Sequence, residues 1–216
     1  MKESLDILGK LLGGVARVKV MRLFLLNPTQ GFEATDVALR SRVGSGVARR
    51  VVLQLASVGL IHKHSFIKEI ENKRTGKTKK KRTSGWFLNG DFPYISELRQ
   101  LLVEGDFFKH ADLVKRFRSA GRIHLFVVSG IFIGHSGNRL DMLIVGDHLR
   151  RSVIQKAVSI LESELGRELA YAVFDTNDFK YRVSMYDKLI RDVFDYPHER
   201  LIASKDFSSF VLPNTV

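Results

Sequence analysis

Two short stretches in the C-terminal half carry residue types at spacings suited to phosphate chemistry. Ser129-Gly130, with Gly134 four positions on, follows an apolar run. Small residues in a turn leave backbone amides open to an approaching anion. Arg139-Leu140-Asp141 then sets a cation and a carboxylate two residues apart, on one face of a strand. In the N-terminal half the chemistry is cationic. Arg40, Arg42, Ser45, Arg49 and Arg50 precede Lys73, Arg74, Lys77, Lys79, Lys80, Lys81 and Arg82, seven cations within ten positions. Lysines of this kind neutralise phosphates, and arginines can also read guanine edges. The 7 histidines are scattered without ligand spacing, so no metal site is expected. Ser129 lacks the G-x-S-x-G setting of a nucleophile elbow, and the absence of Cys removes thiol nucleophiles, disulfides and zinc ribbons.

The placement of charge decides what these groups belong to. Of a formal net charge of +12, residues 1–92 hold 18 Lys and Arg against 7 Asp and Glu, whereas residues 93–216 hold 17 against 16. A basic module is therefore joined to an almost neutral one, and a polyanion is the expected partner. An anionic membrane fits less well, because no strongly amphipathic basic helix accompanies the charge. The longest apolar stretch, residues 125–133, is too short to span a bilayer and is broken by Ser129 and Gly130. With no signal peptide and no Cys, a cytoplasmic location is expected.

The elements that must position the cations follow from periodicity and punctuation. Residues 15–26 read as a helix with Val15, Val18, Met21, Leu25 and Leu26 on its apolar face, stopped by Asn27-Pro28. Residues 33–40 read as a second helix. After a turn at 41–45, residues 46–58 form a third, ended by Gly59. Its apolar arc is Val47, Ala48, Val51, Val52, Leu55 and Val58, with Arg49, Arg50, Leu53 and Ser57 opposite. Residues 60–71 and 84–88 read as a hairpin with the cationic run at its tip. This stretch, above all SRVGSGVARRVVLQLASVGLI at 41–61, resembles the winged helix-turn-helix of bacterial and archaeal transcriptional regulators. The resemblance implies a recognition helix at 46–58, a wing at 63–88 and double-stranded DNA as partner. So few base-reading side chains suggest a homodimer on paired half-sites, with residues 3–12 as a candidate dimer helix.

Residues 93–107 read as a linker helix region. Residues 108–216 follow as helix 108–118, strands 123–128 and 140–145, helix 149–165, strand 168–174 and helical segments near 177–193. The fold class expected is α+β, a winged helix-turn-helix followed by a small α/β domain. Together, Ser129-Gly130-x-x-x-Gly134 and Arg139-x-Asp141 resemble the minimal nucleotidyltransferase domain. In that family a Gly-Ser turn holds nucleotide phosphates and an Asp-x-Asp pair holds Mg²⁺. Here the turn is reversed, and Arg139 stands where the first aspartate belongs. The resemblance thus implies a degenerate domain with no catalytic residues and no cofactor. Arg139 is expected to pair with Asp141 or Glu168, or to help Ser129, Gly130 and Gly134 hold a nucleotide-like ligand. A DNA-binding regulator whose second module senses a ligand, oligomerises or binds a partner is the leading expectation. Magnesium-dependent nucleotidyl transfer and an antitoxin-like or RNA-binding role stay open beside it.

Overall fold

Gly13 and Gly14, both in left-handed backbone, turn the chain sharply between two helices, α1 (Lys2–Leu11) and α2 (Val15–Leu26). The computed structural model describes residues 2–71, 78–103, 110–135 and 137–208. It is a mixed α+β architecture with two small sheets, dividing into two compact units. One unit comprises Lys2–Phe107 with Ile160–Arg167; the other comprises Phe108–Ser159 and Glu168–Val216.

In the first unit α2 is the central element. Val18, Val20, Met21, Leu23, Phe24 and Leu25 are all buried, so the helix is enclosed on most sides and not only along one stripe. Arg22 is enclosed with them, at 2% exposure. Its Nε donates to the Leu102 carbonyl at 2.7 Å and its Nη1 to the Glu164 carbonyl at 2.9 Å. Burial pulls its pKa down to about 10, with Glu164 opposing, so the group is still a cation at neutral pH. α3 (Ala34–Ser41) and α4 (Ser45–Ser57) pack on α2, and Gly59, with φ +82°, follows α4 two residues on. The hairpin β1 (Ile61–Glu71) and β2 (Thr78–Leu88) pairs along its whole length, Ile61 opposite Leu88 and Glu71 opposite Thr78. Phe32 adds a bridge to the far side of β2 by exchanging both hydrogen bonds with Trp86, at 3.0 and 2.8 Å. α5 (Ile95–Leu102) closes the core with Leu102.

The second unit opens with α6 (His110–Phe117) and a central strand, β3 (Arg122–Ser129). β4 (Met142–Asp147), α7 (Arg151–Leu165) and β5 (Tyr171–Asp175) form a parallel crossover. α7 is shared, since its residues from Ile160 on belong to the first unit. After α8 (Thr176–Ser184) and α9 (Lys188–Asp195), the chain adds β6 (His198–Ala203) and a last turn of helix, α10 (Lys205–Ser208). The sheet order is β5-β4-β3-β6, antiparallel except between β4 and β5. The two central strands are buried on both faces, which their unbroken runs Leu125–Val128 and Met142–Val145 require.

Several expectations need correction. β2 begins at Thr78, six residues earlier than the reading of 84–88, so Lys79–Arg82 lie within a strand and not at a loop tip. Val47 and Val58, assigned to the apolar arc of α4, are exposed; the buried face is Ala48, Val51, Val52 and Leu55. β4 begins at Met142, leaving Arg139 and Asp141 outside the strand, so the two-residue spacing does not give them a shared face. β6 was not expected at all. Its sequence HERLIA carries two charges and no clean alternation, and it becomes a strand by pairing with β3.

Candidate nucleic-acid interface

The interface is built on α4. Its buried side anchors it to the core, and Ser45, Arg49, Arg50, Leu53 and Ser57 face solvent. No acidic residue occurs anywhere in α4, and neither Arg49 nor Arg50 has an ion-pair or hydrogen-bond partner among the described residues. The helix thus presents two guanidinium groups outward without local neutralisation. Leu53, at 53% exposure, sits beside them as an unburied apolar contact. Arg42 lies at the C-terminus of α3 in left-handed backbone (φ 50°), exposed at the turn between the two helices. Arg40 is half-buried, its guanidinium 5.3 Å from the centre of the Phe32 ring.

The hairpin divides its cations between two faces, because successive strand residues alternate. Lys80 and Arg82 lie on one, with Lys80 3.6 Å from Glu69 across the strands. Lys81 lies on the other, directly opposite Lys68. Like charges facing across a ladder repel, and α3 supplies the compensation. The Lys68 ammonium is 2.7 Å from Asp36 and 3.3 Å from Glu33, and the Thr83 hydroxyl donates to Glu33. The Thr83 bond and then Lys68 hold the Glu33 carboxyl below its usual range against the opposing effect of burial. Asp36, followed by Glu33, raises the Lys68 ammonium. This tether fixes the hairpin to α3, and it was missed because nothing local to Lys68 marks it among so many lysines. Lys73, Arg74 and Lys77 lie outside the described residues, as does the side chain of Lys79.

The residues singled out in the second unit are occupied differently. Asp141 is 3% exposed, and each carboxylate oxygen accepts from a backbone amide: Ile131 at 3.2 Å and Ala170 at 2.9 Å. The Ser129 hydroxyl is buried and donates to the Leu140 carbonyl. Gly130 (φ +58°) lies so close to Asp141 that a Cβ there would collide with the carboxylate. Ser129, Gly130 and Asp141 therefore form a backbone clasp joining the end of β3 to the approach of β4. Gly134 is exposed at the end of the single turn that follows. The sequence offered Asp141 or Glu168 as the partner of Arg139, but it pairs with neither; at 3.3 Å its partner is Asp192 of α9. His124, placed by an irregularity in β3, lies 3.0 Å from Asp147, whose carboxyl is lowered by Thr176 first and then by His124.

Among the described residues no three His, Asp or Glu side chains gather as metal ligands, and no helix is long and apolar enough to cross a membrane. Compared with models of protein families, with curated proteins and with solved structures, the chain matches none.

Proposed function

We propose that this protein is a DNA-binding transcriptional regulator acting in the cytoplasm, with α4 as recognition helix and the β1–β2 hairpin as wing. The observation that carries the reading is the solvent face of α4, with Arg49 and Arg50 unpaired among the described residues on a helix without acidic residues. A helix of this kind fits the major groove, and Lys80, Lys81 and Arg82 on the adjacent hairpin suit contact with flanking phosphates. A homodimer on paired half-sites would supply the specificity that two arginines alone do not. The second unit then serves ligand sensing, oligomerisation or partner binding. Its resemblance to nucleotidyltransferases extends to the turn and to Asp141. Magnesium chemistry is disfavoured there because both oxygens of that carboxylate are engaged by backbone amides.

Duplex binding measured over a salt series tests the proposal. Replacing Lys80, Lys81 and Arg82 with Gln should weaken all sequences alike and flatten the salt slope by about one unit per lost phosphate contact. The double variant Arg49→Ala/Arg50→Ala should instead reduce discrimination between sequences, by roughly tenfold or more for each lost bidentate contact. Absence of binding to any duplex at low salt rejects the reading.

A further inference from the structure

One face of the hairpin breaks the rule that solvent-facing strand positions are polar. His62, His64 and Phe66 of β1 share it with Phe87 of β2, while Ile61, Trp86 and Leu88 on the opposite face turn toward the core. His62 and His64 are exposed, and Phe66 and Phe87 are half-buried. Their rings form one continuous layer. Phe87 meets Phe66 edge-on at 5.4 Å and lies parallel to His62 at 6.4 Å, while His62 and His64 are 4.9 Å apart. Two glycines make room for it. A Cβ on Gly85 would stand 2.6 Å from the Phe66 ring, and one on Gly31 would collide with the Phe87 ring. Neither glycine has left-handed backbone; at Gly31 the Phe87 ring leaves no room for a Cβ, and at Gly85 the Phe32 carbonyl oxygen, which would stand 2.7 Å from a Cβ, excludes one together with the Phe66 ring. Beside the rings opens a cavity of about 530 Å³, lined among others by Phe66, Phe87, Arg40, the paired Lys68 and Asp36, and Glu69. That volume is within the ~300–1,000 Å³ of small-ligand sites. Lys81 lies on the same face, opposite Lys68.

We propose that this aromatic layer is a binding site for unpaired nucleobases of a single-stranded nucleic acid, separate from the duplex-reading face of α4. Planar rings offer stacking to any base, and Lys81 on the same face suits a phosphate between successive bases. The charge of residues 1–92, 18 Lys and Arg against 7 Asp and Glu, favours this occupant over an acid-poor peptide or an uncharged ligand. The inference rests on the first unit being a nucleic-acid-binding module. It adds that the module engages unpaired bases as well as duplex, as at a junction or a locally opened site.

Fluorescence anisotropy with labelled oligothymidylate, oligouridylate and blunt duplex tests it on the full chain. The double variant Phe66→Leu/Phe87→Leu keeps an apolar cover over Gly85 and Gly31 while removing the π faces. It should bind oligothymidylate at least about tenfold more weakly, with duplex affinity within about twofold of the parent. Phe66→Tyr/Phe87→Tyr should restore single-strand binding, and equal thermal midpoints would show that the variants are folded. Tighter binding of oligouridylate than of oligothymidylate would also support the site and assign RNA as its source. Duplex binding without single-strand binding overturns this inference alone, as does an equal loss of both in the Leu variant. Failure to bind any of the three probes overturns the reading of the module as well.

Discussion

Asp141 in the second unit and Arg49 in the first are charged residues that each follow a turn rich in small residues, yet their surroundings are opposite. Asp141 is enclosed, and both of its oxygens are held by backbone amides. Arg49 stands on the open side of a helix, and its charge is left to act outside the chain. The same contrast runs through the units. Where the second unit turns Ser129 and Asp141 inward to join β3 to β4, the first turns Arg49, Arg50, Lys80 and Arg82 outward. A charge engaged by its own backbone stabilises a fold; one left exposed beside others of the same sign makes a surface for a partner.

The sharpest way to break that comparison is at Asp141. Replacing it with Ala strands two buried amide donors, so the protein should lose about 3 kcal/mol or more of stability in denaturant unfolding. Asp141→Asn retains one acceptor oxygen and should lose less. If Asp141→Ala unfolds at the parental midpoint, the carboxylate is not structural and a functional role must be reconsidered. Next comes Arg49→Ala/Arg50→Ala, where duplex affinity should fall by about tenfold to a hundredfold while stability changes by no more than ~0.5 kcal/mol. A large stability change would mean that these arginines serve the fold after all.

The Lys68 tether gives a smaller effect with a defined pH sign. Glu33 has a folded pKa below its unfolded value, so its contribution is complete above the unfolded carboxylate range and is lost as pH falls through the folded value. Lys68 is raised, so its contribution holds below the unfolded lysine value and is lost as pH rises through the folded one. These groups are about one-third exposed, so the pair should contribute no more than ~1 kcal/mol. Thermal midpoints across acidic pH, compared between the parent and Glu33→Gln, should converge as the pH falls. Smallest of all should be Arg139→Ala. Arg139 is 58% exposed, and its pairing with Asp192 should be worth at most ~0.5 kcal/mol by thermal unfolding. A loss above 1 kcal/mol would show that Arg139 has a structural role this geometry does not explain.

Local chemistry made much of the first unit legible from sequence. Asn27-Pro28 ends α2, Gly59 follows α4, and the 3.6-residue spacing of Ala48, Val51, Val52 and Leu55 selects the buried side of that helix. In each case the cause lies within a few residues of the effect, as proline, glycine and periodicity act through neighbouring backbone. The concentration of positive charge in residues 1–92 is likewise a property of the sequence itself. What only the tertiary structure decided is where side chains find distant partners. Arg22 interrupts an apolar helix as a surface residue would, yet it lies in the core because the carbonyls of Leu102 and Glu164, remote in sequence, meet it there. Lys68 is one lysine among many until α3 brings Asp36 and Glu33 beside it. The sequence of β6 has weak strand character, and its conformation comes from the edge of β3. The resemblance to nucleotidyltransferases lays Asp141 over a carboxylate that holds metal in that family, whereas in this fold the Ile131 and Ala170 amides meet its two oxygens. A residue's type and its near neighbours determine what it can do, and the long-range packing that satisfies or exposes its polar atoms determines which of those things it does.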